Sequence, residues 1–272
     1  MSINRRQFLK IAGISTVFGL GGASVFNAIS RGSLEAAQVL TDPQALKAKR
    51  WGMVIDMSKF ETEEDIKRVK DICHKIHNVP DFGDDKMHEI KWIWPETFEH
   101  AFPGEHDEYF PEELKEQPFM VLCNHCAQPA CVRVCPTKAT FKRADGIVMM
   151  DMHRCIGCRF CMAACPFGAR SFNWKDPRPY IKEEDLTFPT RTKGVVEKCT
   201  FCYERLAIGK APACVEESKG GIIYGDLEDP KSEIREILRT KYTIRRKPGL
   251  GTQPSIYYVI DGKEKIGGKE NV

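Results

Sequence analysis

The chain has 272 residues, 42% of them hydrophobic and 29% charged, so it can bury a core and form one or two domains. Its 41 lysines and arginines nearly balance 38 aspartates and glutamates, which gives no basic footprint for a nucleic-acid partner. The sequence has no C-x-x-C-H motif for a covalently attached haem, and no apolar run of membrane-spanning length follows residue 30. We therefore expect a soluble or peripheral mature chain.

The N-terminus carries a pattern typical of a twin-arginine export signal. Arg5 and Arg6 precede Phe-Leu-Lys and a Gly-rich, mildly apolar run. Twin-arginine export carries proteins that have already folded in the cytoplasm. A basic N-terminal helix of the folded domain is the alternative. We predict export to the periplasm or the outer face of the cytoplasmic membrane, with the leader cut near Ala37 or kept as an anchor.

The next part of the chain is predicted to form a strand, a helix and a loop. Apolar residues alternate over 49–56 and predict a strand. A helix is predicted over 62–77, with Thr62 as its N-cap and Cys73 in its apolar stripe. A single cysteine on an apolar face is more often a core residue than a ligand. Residues 81–117 are acidic and aromatic and predict a loop with short strand pieces around 91–94, which either docks a partner or covers a buried centre.

Eight of the 12 cysteines lie between Cys123 and Cys165. The first run, which ends at Cys135, has the spacing C-x2-C-x4-C-x3-C-P. The second run begins at Cys155 and has the spacing C-x2-C-x2-C-x3-C-P. This second spacing is the bacterial ferredoxin pattern for a [4Fe–4S] cluster, and the first expands it by two residues. A β-hairpin is predicted between the runs, over 139–150.

In this pattern the fourth cysteine of each run ligates the cluster of the other run. We therefore predict two clusters with exchanged ligands. Set one, for cluster one, is Cys123, Cys126, Cys131 and Cys165, and set two, for cluster two, is Cys155, Cys158, Cys161 and Cys135. His125 and His153 lie beside ligand cysteines, but both sets are complete without them. Zinc and a disulfide scaffold are the alternatives, although zinc pairs usually have a longer spacer and disulfide scaffolds are shorter chains.

The C-terminal part contains a third cysteine motif after a Pro-rich linker over 175–189. Its spacing is C-x2-C-x11-C, formed by Cys199, Cys202 and Cys214. Two preceding ferredoxin motifs make this widely spaced group a third predicted metal site. A strand pair around 221–225 and a helix over 232–241 follow, and the tail has a basic cluster over 242–248. These basic residues either form a solvated face or contact an acidic partner.

The arrangement of cysteine motifs resembles that of the polyferredoxin electron-transfer subunits of membrane-bound oxidoreductases. This group includes the iron–sulfur subunits of dimethyl sulfoxide, polysulfide and formate-linked nitrite reductases. The narrower similarity is to the DsrO-type periplasmic subunits of DsrMKJOP complexes in sulfite- and sulfur-metabolising microbes. It is carried by residues 122–126, 153–161, 190–199 and 242–258. The resemblance implies an α+β fold with two bacterial-ferredoxin-like domains, one of them discontinuous, with loop-rich insertions and a C-terminal extension.

Five segments follow from this resemblance. They are a signal segment (1–37), the first half of the outer ferredoxin-like domain with its acidic aromatic insertion (38–117), the central two-cluster domain (118–174), a linker with the second half of the outer domain (175–230), and a C-terminal helix and tail (231–272). The resemblance also implies a polytopic quinone-interacting membrane subunit, a multihaem cytochrome and other subunits as partners. No nucleic acid is expected.

The resemblance raises Cys73 from a core residue to a predicted ligand. Related chains carry a first cysteine motif after the first strand, but here Phe60 stands at its first cysteine and only the position of Cys73 is retained. The third motif lacks its last cysteine, because position 218 is serine. With crossed ligation, the retained cysteines complete set three, which is Cys199, Cys202, Cys214 and Cys73. Three sets then account for all 12 cysteines, and three [4Fe–4S] clusters are predicted.

The predicted function is a relay of single electrons within a membrane-bound respiratory complex linked to sulfite or sulfur metabolism. We expect no catalytic residues and no substrate site in this chain, because its sequence shows no nucleophile motif, general base or Gly-rich nucleotide loop. An iron–sulfur subunit of a molybdenum-dependent reductase is the alternative within the same chemistry. A zinc-stabilised interaction protein is the remote alternative.

Overall fold

The computed structural model describes residues 42–60, 62–104 and 118–260. The predicted export signal over 1–37 therefore lies outside the described residues, as does part of the predicted acidic loop. No helix in the described part of the chain is long and apolar enough to cross a membrane.

A four-stranded sheet joins the two ends of the described chain. Strand β1 (Trp51–Asp56) lies inside it, antiparallel to β8 (Ile222–Asp226) on one side and parallel to β10 (Ile256–Val259) on the other. The last strand, β9 (Thr243–Ile244), pairs antiparallel with β10. Five of the six β1 residues are buried, as expected for a strand covered on both faces. The predicted first strand is confirmed, but residues 222–226 form one strand that pairs with distant β1 instead of a local strand pair.

The predicted helix with Cys73 is confirmed as α1 (Glu63–Ile76). Thr62 and Asp65 form a capping box, which satisfies backbone N–H groups at the first turn. The buried stripe of α1 includes Cys73 and packs against α6 (Ala213–Glu217), the helix that carries Cys214. This packing brings a cysteine from the first half of the chain to the third motif.

Three two-stranded antiparallel ladders form the rest of the strand structure in the described residues. They are β2 (Ile93–Glu96) with β3 (Phe119–Leu122), β4 (Thr140–Lys142) with β5 (Val148–Met150), and β6 (Ser171–Phe172) with β7 (Val196–Glu197). The β4–β5 ladder confirms the hairpin predicted between the ferredoxin motifs. The short strand predicted around 91–94 is confirmed as β2. The same segment also contains one helical turn that was not predicted, α2 (Phe98–Ala101), whose Phe98 packs in the core against Phe102 and Phe119.

Short helices lie within the cysteine motifs. They are α3 (Ala130–Arg133), α4 (Phe160–Ala163) and α5 (Tyr203–Leu206). The longer α7 (Glu233–Thr240) confirms the predicted C-terminal helix, with Ser232 at its N-cap. It packs on β8 and β1, so this helix supports the sheet.

Candidate metal centres

Left-handed backbone positions let the motif loops turn tightly around their cysteines. His125 has a φ of 40° in the first motif, and Gly157 and Arg159 have φ values of 72° and 62° in the second. In the third motif Phe201 and Cys202 both have positive φ. Gly157 also needs to lack a side chain, because a Cβ there would lie 2.6 Å from the Gly194 carbonyl oxygen. Each loop is therefore shaped to direct several side chains toward one point.

The four cysteines of set one line one small cavity. Burial and the neighbouring Cys123 raise the pKa of Cys126 to about 12. Burial and the same Cys123 raise the pKa of Cys165. The structure thus brings Cys165 from the second motif to the three cysteines of the first.

The four cysteines of set two line a second small cavity. Cys135 comes from the first motif, and its Sγ accepts a hydrogen bond from the Thr140 backbone N–H at 3.4 Å. Burial opposes ionisation of Cys135, but hydrogen bonds from Thr140 and Thr137 lower its pKa. Donors of this kind would stabilise a metal-bound thiolate.

Set three is assembled from two distant parts of the chain, and all four of its cysteines are buried. Burial, followed by the nearby Cys202, Cys199 and Cys214, raises the pKa of Cys73 well above its usual range. Burial raises the pKa values of Cys199 and Cys214 to about 12. Cys73 therefore lies with the three other cysteines that the sequence assigns to it.

A buried histidine and a carboxylate adjoin set three. His77 Nδ1 lies 2.7 Å from the Cys73 carbonyl oxygen, and its Nε2 lies 2.9 Å from Glu204 Oε1. His77, Cys202 and Glu204 offer ligand atoms within 4.8 Å of one another, which is also compatible with a single metal ion. Because both His77 nitrogens are already engaged, this group leaves the Cys202 thiol free for the four-cysteine set.

The three sets lie in a row with set one in the middle. Cys131 of set one is close enough to Cys161 of set two to raise its pKa, although burial is the larger cause. On the other side, Cys199 of set three has a raised pKa. Burial is the larger cause of this shift, and Cys123 of set one is the next. Set one is therefore the set that lies next to both of the others.

The donor sets fit iron–sulfur clusters. The four buried thiols of set three cannot all ionise unless a positively charged group lies among them, and metal ions supply that charge. No disulfide joins any of the 12 cysteines, all of which lie in the described residues. Three groups of four thiols, with backbone N–H donors to sulfur, are the donor chemistry of [4Fe–4S] clusters.

Comparisons with known proteins agree with this chemistry. Residues 116–227 match the family described as "4Fe-4S dicluster domain". The "Hdr-like menaquinol oxidoreductase iron-sulfur subunit 1" of Archaeoglobus fulgidus is 39% identical over 290 residues, which covers 98% of this chain and 100% of the relative. The chain belongs to the family of 4Fe-4S ferredoxin-type iron–sulfur subunits.

Other members of this family also match most of the length of this chain. The "Menaquinone reductase, iron-sulfur cluster-binding subunit" of Nitratidesulfovibrio vulgaris is 35% identical over 77% of this chain and 88% of the relative. "Protein NrfC" of Escherichia coli K12 is 32% identical over 95% of this chain and 96% of the relative. The iron–sulfur family was predicted from cysteine spacing and is confirmed; the narrower DsrO assignment is not.

Several polar residues near the sets were not identified from the sequence. Arg170 and Thr252 both line the cavity of set one. Arg170 stands five residues after Cys165, outside the motif spacing, and Thr252 comes from the C-terminal tail. Neither residue belongs to a sequence motif that could have identified it.

Proposed function

We propose that the chain relays single electrons through three [4Fe–4S] clusters as a non-catalytic subunit of a membrane-bound redox complex. The observation that carries the proposal is the row formed by set two, set one and set three. A [4Fe–4S] cluster takes up and releases one electron when bound. The chain would hold neighbouring clusters close together and keep bulk water from set three.

Packing at the end of the row supports three clusters instead of four. Ser218 stands where the third motif would carry its last cysteine, and it is buried. Its hydroxyl donates to the Val215 carbonyl at 2.7 Å and accepts from the Ile222 N–H at 2.9 Å. The Phe60 ring is fully buried beside it, and a Cβ on Gly221 would lie 2.7 Å from that ring. Apolar packing thus occupies the space next to the missing ligand.

Anaerobic reconstitution of the full chain tests the relay. We expect about 12 irons per chain, and visible absorption that dithionite bleaches, because each cluster holds four irons and accepts an electron. A chain that holds zinc and shows no bleaching would support the zinc-stabilised interaction protein instead.

The proposed partners are a polytopic quinone-interacting membrane subunit, a multihaem cytochrome and further redox subunits. Membership of menaquinol oxidoreductase and menaquinone reductase subunits in the same family supports a quinone-linked complex. The link to sulfite or sulfur metabolism rests on the strings similar to DsrO-type subunits. Purification of the tagged chain from its native membrane tests both: haem and a polytopic subunit are expected, whereas a molybdenum protein would favour the reductase alternative.

Export is the second part of the proposal, and it rests on Arg5 and Arg6. Changing both to lysine should leave cluster-loaded protein in the cytoplasm, because the twin-arginine route depends on the arginine pair. Cell fractionation measures this, with Lys10→Arg as a control that keeps both arginines. Normal delivery of the double variant across the membrane would contradict the export route.

Crossed ligation predicts which cluster a single substitution damages. Cys165→Ala should damage cluster one more than cluster two, because Cys165 lines the cavity of set one. Electron paramagnetic resonance (EPR) spectroscopy of the reduced protein measures this, and Cys161→Ala is the matched control that should damage cluster two. Loss of cluster two in the Cys165 variant would show that the ligands are not exchanged.

A further inference from the structure

Arg170 is a buried cation without an acidic partner. Arg170 is only 5% exposed to solvent. Nη1 donates to Thr140 Oγ1 at 3.1 Å and lies 3.8 Å from Met150 Sδ, while Nη2 has no nitrogen or oxygen partner. No ion pair joins Arg170 to a carboxylate in the described part of the chain. A buried charge of this kind is unfavourable unless an anionic group lies beside it.

The anionic groups that Arg170 faces are cysteines of two different sets. Arg170 lines the cavity of set one together with Cys123 and Cys131. On its other side it contacts Thr140, whose backbone N–H donates to Cys135 Sγ of set two, and Met150, which lines the cavity of set two. Burial opposes the charge on Arg170, but the three thiols Cys131, Cys161 and Cys123 raise its pKa. The guanidinium therefore lies where sets one and two meet.

Other buried cations nearby have different partners. Arg191 is paired with Glu197 at 2.6 Å, so its charge is neutralised locally. The Lys198 ammonium donates to the backbone carbonyls of Val148 and Cys199, next to set three.

We propose that Arg170 sets the reduction potentials of clusters one and two together, as a fixed positive charge held between their cysteine sets. This proposal rests on the relay proposed above. Reduction adds one negative charge to a cluster, and a nearby positive charge in a medium of low dielectric favours the reduced form. Arg170 acts through the ligands and does not itself carry the electron. It raises both potentials and leaves cluster three unaffected, since Arg170 faces no cysteine of set three.

The test compares Arg170→Gln with Arg170→Lys in the reconstituted full chain. Redox titration followed by EPR should show two of the three midpoint potentials moved to more negative values in the Gln variant. The Lys variant keeps the charge and should retain potentials closer to wild type. The unmoved midpoint should be the one that Cys73→Ala removes. Arg178→Gln is the matched control, because Arg178 is exposed and paired with Asp176.

Several outcomes would overturn the proposal. Wild-type midpoints in a fully loaded Gln variant, a shift of one cluster alone, or an equal shift of all three would each do so. If the Gln variant does not load, Arg170→Met takes its place, since it also removes the charge but fills the buried space with an apolar side chain; unchanged midpoints in that variant would then refute the role of Arg170. A wild-type chain without reducible clusters would refute the relay itself, which distinguishes the two failures.

Discussion

Cys73→Ala is expected to remove one cluster, or convert it to a three-iron form, and to leave the other two intact. Cys73 is the member of set three that comes from outside the cysteine-rich part of the chain, on the buried stripe of α1. Its loss leaves three thiols, which can hold at most three corners of the cube. The iron content should fall by about one to four atoms per chain, as measured by iron analysis and EPR.

A matched control separates ligation from packing. Val69 lies one turn earlier on the same stripe and is fully buried, so Val69→Ala also removes a buried side chain. It should lower stability but keep all three clusters. Ser218→Cys should not create a fourth cluster, since the other three positions of that cluster have no cysteine. About 16 irons per wild-type chain, or a Cys73→Ala protein with every cluster intact, would contradict the assignment.

What the sequence predicted correctly is local. Cysteine spacing identifies the ferredoxin motifs because three ligands of each cluster lie within one short loop. The helix of Cys73 follows from an apolar stripe and from a cap that Thr62 and Asp65 form within one turn. The hairpin between the motifs is likewise set by neighbouring residues.

What the sequence did not reveal depends on distant partners. Residues 222–226 pair with β1, which lies about 170 residues earlier, so local pattern suggested a strand pair that does not form. The position of Cys73 beside set three followed from family resemblance and not from spacing. Arg170 carries no motif, because its significance arises only when two cysteine sets are folded around it.

A large loss of stability is expected when the buried ion pair that supports set three is broken. Arg191 and Glu197 lie 2.6 Å apart, with side chains 1% and 0% exposed. Glu197 also accepts hydrogen bonds from Trp92 Nε1 at 2.8 Å and Asn173 Nδ2 at 2.6 Å. Arg191 in turn donates to the His77 carbonyl oxygen, immediately after the helix that carries Cys73. The pair thus connects several distant segments beside set three.

Glu197→Gln keeps the size of the side chain but leaves the Arg191 charge buried without its counter-ion. Breaking one partner of such a pair costs roughly 3–5 kcal/mol, which lowers the melting temperature by roughly 6–20 °C in a chain of this size. Loss of visible absorption on heating, at one fixed scan rate, measures this. Cluster three should be lost first, because Arg191 holds the segment that follows Cys73.

The matched control is Glu236→Gln, the same substitution in an ion pair with Arg239 whose side chains are 59% and 70% exposed. Solvent already screens that pair, so its loss should change stability by about 1 kcal/mol or less. If Glu197→Gln melts within the same range as this control, the buried pair does not stabilise the fold. If it melts early but loses all clusters together, the pair supports the whole chain and not set three in particular.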